Sequence, residues 1–214
     1  MKRFEVLPLF PTPVYRTNLG DLETGIRHFI ENIEYERMPG DQGDYSVVKN
    51  ILDVPELAPL RARIMDSVNH FVYDFLDCKT SMTFELQNSW VNRHVKGDYS
   101  PQHHHGNAML SGVYYIEIEN LSDIVFHKDH RHLTLFNPMI DIPFNYADTN
   151  DQRKMNLFNV QSFGCQPAKD DLLIFPSHLS HSVDTSVSDD TRYTLAFNLF
   201  PRGLTGTLLS QLQV

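Results

Sequence analysis

The sequence predicts an α+β domain whose antiparallel strands close into a sandwich or barrel, with helices packed on one outer face. Two observations carry that expectation. Apolar residues in the first third recur at helical spacing, whereas from residue 82 onward they alternate along short runs separated by turn-forming clusters. With 214 residues, 41% of them hydrophobic and 21% charged, the chain has the size and composition of one globular domain with an ample core. We expect a single domain over 1–214: an arm and helices over 1–80, a β core over 81–201 and a tail over 202–214.

The first element is "LFPTPVYRTNL", where Pro11 and Pro13 precede an extended segment that reads as an edge strand or arm. "DLETGIRHFIENIEYER" then places Leu22, Ile26, Phe29, Ile30 and Ile33 on one helical stripe, with Asp21 as N-cap. A second helix over "ELAPLRARIMDSVNHFVYDFL" carries Leu57, Leu60, Ile64, Phe71 and Phe75. "MTFELQNSWVN" reads as a strand with Met82, Phe84, Leu86 and Trp90 on one face, which makes Trp90 a core residue before a pocket wall. Further strands are expected at "MLSGVYYIEI", "SDIVFH", "HLTLF", "NLFNVQSF", "DLLIFPS" and "RYTLAFNLF", with turns at "HVKGDYSPQ", "QPAKDD" and "TSVSDD".

A net charge of −9 argues against a nucleic-acid-binding surface, which leaves a basic footprint. No apolar run reaches the length of a membrane span, and "MKRFEVLPLFPTPVYR" lacks the apolar core of a signal peptide. A cytoplasmic protein is expected. Cys78 and Cys165 are too few for a disulfide framework and lack metal-ligand spacing, so both read as buried or incidental thiols.

The chemistry is concentrated in histidines. In "SPQHHHGNAMLSGVYYIE", residues 100–117, His103 and His105 are two apart, so along an extended chain their side chains point the same way and His104 points opposite. Two neutral imidazoles on one side offer two nitrogen ligands to a divalent metal. His178 and His181 follow the apolar run "DLLIFPS", and Arg192 lies 11 positions beyond His181, with Thr194 two further on. An arginine facing a barrel interior is costly unless it meets an anion, and a ligand carboxylate held by Arg192 and the Thr194 hydroxyl would resolve that cost. Each piece also has a plainer reading. A histidine run is often a solvated loop, and Arg192 alone could pair with Asp189 or Asp190 at the surface; the three features in this order are harder to dismiss. "HKDHRH", residues 127–132, reads as a solvated hairpin loop whose positive charges oppose cation binding, and His28 and His70 as structural or exposed.

These blocks resemble the iron(II)- and 2-oxoglutarate-dependent oxygenases. "DLLIFPSHLSHSVDTSVSDDTRYTLAFNLF" is similar to the distal block of prolyl hydroxylases, with His181 as ligand and "RYT" opening a late core strand. "LSGVYYIE" resembles their strand with a tyrosine that contacts oxoglutarate, which falls on Tyr115. A narrower resemblance covers nearly the whole chain: an early "LFPTPVY", Trp90–x–Asn92, "H-x-H" leading into "SGVYY", and "FPS-x-L-x-H-x-V", as in a group of 2-oxoglutarate oxygenases frequent in marine bacteria and their phages.

The resemblance implies a double-stranded β-helix core, a jelly roll of the cupin type, with the N-terminal helices on one face. It implies Fe(II) on His103, His105 and His181, 2-oxoglutarate held at its far carboxylate by Arg192, Thr194 and Tyr115, and ascorbate as an accessory reductant. One departure is plain: His105 stands where most of the superfamily has a carboxylate. The implied activity is hydroxylation of a protein side chain or a small metabolite with release of succinate and carbon dioxide, in the cytoplasm of a bacterium or of a phage's host. Two alternatives stay open on the residues: a cupin-like metal dioxygenase or isomerase that needs no oxoglutarate, and a non-catalytic jelly-roll module with a structural metal, which would want a fourth protein ligand. Substrate specificity is expected in residues 137–158 and the N-terminal helices.

Overall fold

In the computed structural model the described residues are 5, 7–21, 23–40, 42–117, 124–128, 156, 158 and 160–214. The expected strand at "HLTLF", and all of the 137–158 segment except residues 156 and 158, lie outside them.

Two helices occupy the first third, as their periodicity predicts. Helix α1, Thr24–Asn32, buries Ile26 and Ile30, but its N-cap is Glu23 and no side chain caps it, so the expected Asp21 cap does not form. Helix α2, Ala58–Asn69, buries Leu60, Ile64 and Val68 and continues into a π-helical turn over His70–Phe75. That wider turn rotates the end of the stripe outward: Phe71 stays in the core, whereas Phe75 is 68% exposed.

Three short strands lie among these helices. They are β1 (Tyr15–Asn18), β2 (Tyr35–Arg37) and β3 (Asp44–Ser46); β4 (Thr83–His94) then opens the β core. The core continues with β5 (Ser100–His103), β6 (Leu110–Glu117), β7 (Ile124–His127), β8 (Ser162–Cys165), β9 (Asp171–Pro176), β10 (His181–Val183) and β11 (Arg192–Arg202). A small hairpin, β12 (Leu204–Thr205) with β13 (Leu212–Gln213), ends the chain.

A seven-stranded sheet has the order β1-β9-β6-β11-β4-β3-β2, and a four-stranded sheet the order β5-β10-β7-β8, with every pairing antiparallel. Core strands β4 to β11 thus distribute between two sheets in the double-stranded β-helix pattern. The predicted arm becomes the edge strand β1, and the first third also adds β2 and β3 to the other edge of the large sheet.

The large sheet is covered on both faces. Leu172, Ile174, Leu195, Phe197 and Leu199 pack under Ile30, Leu60, Ile64 and Phe71 of the helices. Leu173, Phe175 and Tyr115 face the small sheet, where they meet Ile124 and Phe126. Burial on both sides explains why "DLLIF" in β9 is apolar without alternation. Each such leucine or isoleucine contributes about 1.5–3 kcal/mol through loss of its water-exposed surface. Gly112 in β6 is required by close approach, since a Cβ there would lie 2.2 Å from Cζ of Phe197.

One register feature decides what enters the cavity. Asn198 of β11 pairs with Asn88, but Leu199 pairs with Leu86, so Gln87 is an extra residue in β4. The bulge inverts the side-chain parity. Phe84 and Leu86 lean on the helix-covered core together with Val91, while Trp90, Asn92 and His94 turn to the opposite face and line the cavity between the sheets. The expectation that Met82, Phe84, Leu86 and Trp90 share a face is therefore corrected, and so is the core reading of Trp90. Among the described residues no helix is long and apolar enough to cross a membrane.

Candidate metal centre

Register arranges the cavity in layers. Asn88, Asn198, Ser111 and Phe175 stand abreast on β4, β11, β6 and β9; Trp90, Ala196, Val113 and Leu173 form the next layer; Asn92, Thr194 and Tyr115 follow, then His94 and Arg192. Layers recur every two residues, so Ala196 and Arg192 are about 13 Å apart at ~3.3 Å per residue. The enclosed volume is ≈ 290 Å³.

The histidines meet at the upper end of this stack. His103, the last residue of β5, pairs in register with His181, the first of β10, and His105 follows from the turn after β5. One potential ligand atom from each of His103, His105 and His181 lies within 4.8 Å of the others. Ring centroids are 4.4 Å apart for His103–His181, 5.2 Å for His103–His105 and 5.4 Å for His105–His181. Nδ1 of His103 lies 2.8 Å from the Pro101 carbonyl, and Nδ1 of His181 lies 2.9 Å from that of Leu179. Donation of the Nδ1 proton to a carbonyl leaves the Nε2 lone pair free to coordinate.

Electrostatics favour the same state. Burial pushes the His181 imidazole down to about 4 against the Leu179 carbonyl, helped by His103 and His105. His105 is also pushed down to about 4, first by burial and then by His103 and His104. Both rings are therefore neutral at ordinary pH and able to ligate a metal. Three neutral nitrogen donors fit a divalent first-row metal such as Fe(II), and leave its full positive charge to be offset by an anion.

That anion has a counterpart deeper in the cavity. Arg192 is only 4% exposed, which excludes the surface reading, and Asp189 is taken by Lys96 at 2.9 Å. The Arg192 guanidinium lies 5.3 Å from the Tyr115 ring, and Thr194, 5% exposed, lines the same wall. Burial raises the Tyr115 hydroxyl's pKa, opposed by the nearby Arg192 charge, so the phenol is protonated and can donate. It has no hydrogen-bond partner among the described residues. His94 sits opposite Arg192 and is held neutral, pushed down to about 4 by burial and then by the Arg192 charge. Gly43, at φ +91°, presses on this ring: a Cβ there would lie 2.3 Å from His94 Cδ2.

All six residues expected from the sequence therefore come to one cavity. His104 and His178 are exposed and take no part, and Cys78 and Cys165, both of intermediate burial and not joined in a disulfide, do not line it. His127 turns its Nε2 to the Ser182 hydroxyl at 2.9 Å; the rest of "HKDHRH" beyond Lys128 lies outside the described residues. Sequence reasoning missed Trp90, whose ring is 6.1 Å from His105, along with His94 and the polar layer at Asn88, Ser111 and Asn198. The "W-x-N" spacing held one usable signal. Trp90 Nε1 donates to Asn92 Oδ1 at 3.0 Å, a contact between residues two apart that needs both side chains on the same face.

Residues 88–198, just over half of the chain, match the family described as "Putative 2OG-Fe(II) oxygenase". No curated protein matches the chain. Among solved structures, it is similar to HygX from Streptomyces hygroscopicus with nickel, 2-oxoglutarate and hygromycin B bound, at 13% identity, 88% of this chain, 83% of that chain and TM-score 0.57. A prolyl-4-hydroxylase from Pseudomonas putida is similar at 11% identity over 90% of this chain and 94% of that chain, with TM-score 0.56. An oxidoreductase of the 2OG-Fe(II) oxygenase family from Burkholderia pseudomallei is similar at 12% identity, 82% and 75% coverage and TM-score 0.56. At these identities the structural likenesses establish the fold alone.

Proposed function

The chain belongs to the 2OG-Fe(II) oxygenase family, and from that premise we propose that His103, His105 and His181 carry its iron, that Arg192, Thr194 and Tyr115 hold its oxoglutarate, and that it hydroxylates a protein side chain or a small metabolite. The observation that supports this assignment best is the convergence of three imidazoles, two of them 76 positions apart in the chain, above a buried arginine in the same cavity.

With iron(II) bound, the chemistry supplied is oxidative decarboxylation of 2-oxoglutarate by dioxygen, giving succinate and carbon dioxide while a substrate C–H becomes C–OH. The protein's part is binding and orientation. His103 and His181 present Nε2 because their Nδ1 protons are committed to carbonyls. All ligands are neutral, so the site gains most from a dianionic co-substrate. Arg192 offers the far carboxylate charge-assisted hydrogen bonds, to which Thr194 and Tyr115 add hydroxyl donors. The layer spacing puts that clamp about 13 Å below the Ala196 layer at most, with Thr194 and Tyr115 one layer nearer the imidazoles. Val113, Leu173 and Phe175 keep the space between them apolar and poor in water. Trp90, Met38 and Gln42 line the remaining wall, where a substrate would contact this chain. The net charge of −9 argues against a nucleic-acid substrate, and we place the activity in the cytoplasm.

Purified protein supplied with Fe(II), ascorbate and 2-oxoglutarate should release succinate slowly even without a primary substrate, and His103→Ala or His181→Ala should abolish it. Iron binding without any succinate release would instead favour a metal enzyme that needs no oxoglutarate.

A further inference from the structure

His105 is the ligand with the least support from secondary structure. His103 and His181 sit on paired strands, whereas His105 lies in the turn after β5, and its backbone N–H donates to the Ser177 carbonyl at 2.9 Å. Ser177 is fully buried, and its own N–H donates to Met109 at 3.0 Å, closing residues 105–109 over the end of β9.

What fixes Ser177 is a polar chain across the uppermost layer of the cavity, buried at Ser177, Ser111 and Asn198 and half-buried at Asn88. Ser177 Oγ lies 2.8 Å from Ser111 Oγ; Ser111 Oγ donates to Asn198 Oδ1 at 2.7 Å; Asn198 Nδ2 donates to Asn88 Oδ1 at 2.8 Å. The proton count sets its direction. Ser111 has one hydroxyl proton, already given to Asn198, so Ser177 must donate to Ser111. Ser111 and Asn198 are each 2% exposed, next to the apolar side chains of Val113, Leu173 and Phe175. A buried polar layer of this kind costs desolvation that apolar side chains would avoid, and every link is satisfied, which is how such a layer holds a single arrangement.

Resting on the iron-site reading above, we propose that the chain Ser177–Ser111–Asn198–Asn88 is a positioning device for His105: it locks the Ser177 peptide, whose carbonyl sets where the third imidazole stands. The role assigned to these four is positioning, although Ser111 also lines the cavity. Their removal loosens one ligand of three, and loss of an outer partner of this type lowers metal affinity about 10–100-fold.

Trp90 is the chain's single tryptophan and its ring is 6.1 Å from His105, so its fluorescence reports metal at the site. The test is titration of the metal-free protein with Co(II) in four forms: wild type, Ser111→Ala, His105→Ala, and the double variant. Ser111→Ala should weaken Co(II) binding at least tenfold, and Ser111→Thr, which keeps the hydroxyl, should restore most of it. In the His105→Ala background the Ser111 change should have almost no further effect, because its route to the metal is gone. Equal weakening in both backgrounds, or unchanged affinity in Ser111→Ala, would overturn the proposal and reduce the chain to a stability element. Should Ser111→Ala not fold, Asn88→Ala at the far end of the chain takes its place with the same expectations. Failure of the iron-site reading looks different: wild type itself would not respond to Co(II).

Discussion

Replacement of Arg192 by alanine tests the co-substrate site most sharply, because its effect should depend on which acid is offered. In wild type Arg192 is 4% exposed, and it shares its wall with Thr194 and Tyr115. A buried, charge-assisted hydrogen bond contributes about 1.5–3 kcal/mol, and loss of one partner of a buried charge pair costs about 3–5 kcal/mol. Taking ~3 kcal/mol as the lower working figure, and ~1.4 kcal/mol per decade, 2-oxoglutarate affinity should fall about 100-fold. Pyruvate supplies the same 2-oxo acid end without the second carboxylate. Its affinity for the metal-loaded protein should be nearly equal in wild type and Arg192→Ala. Anaerobic calorimetry with both acids on both proteins gives the four constants needed. A parallel loss for the two acids would show that the variant disturbs the metal end or the fold, and the carboxylate clamp would be refuted.

Two further outcomes follow from the far end of the cavity. His94 is held neutral in the fold with its pKa near 4, against an ordinary 6.5 in the unfolded chain, so its contribution to stability is fully present above pH 6.5. As pH falls toward 4 the unfolded chain takes up a proton that the fold refuses. Urea denaturation of metal-free protein should then show wild type losing about 3 kcal/mol more than His94→Gln between pH 7 and pH 4, and parallel pH profiles would contradict this. Gly43→Ala puts a Cβ at 2.3 Å from His94 Cδ2 on a backbone at φ +91°, and should destabilise by about 2 kcal/mol or more. Gly25→Ala in α1, where a Cβ meets nothing within 4 Å, is its control and should leave the thermal midpoint level or higher.

The parts of this protein legible from sequence were those governed by local periodicity. Helical stripes located α1 and α2, and the i, i+2 rule paired His103 with His105 and Arg192 with Thr194. What escaped was decided by one residue. Gln87 bulges out of β4, and everything after it changes face, so Trp90 moved from the expected core to the cavity, where Asn92 and His94 join it. Nothing in "FELQNSW" marks the bulge, because both faces of the large sheet are buried and an apolar residue is acceptable on either. The Asn88–Asn198–Ser111–Ser177 layer was hidden for a different reason. Its members come from four segments and become neighbours only when β4, β11 and β6 pair, and a lone serine or asparagine in a strand carries no local signal of a partner 66 to 110 positions away. The Phe75 end of the second helix failed through geometry: a π turn has more residues per turn than the stripe assumed.

Whether three neutral imidazoles hold an iron that accepts 2-oxoglutarate is settled most directly by anaerobic titration of the Fe(II)-loaded protein with that acid, followed in the visible spectrum. A metal-to-ligand charge-transfer band that grows to saturation at one equivalent per chain is the expected result. Iron fully bound to His103, His105 and His181 with no such band at any concentration of the acid would contradict the account.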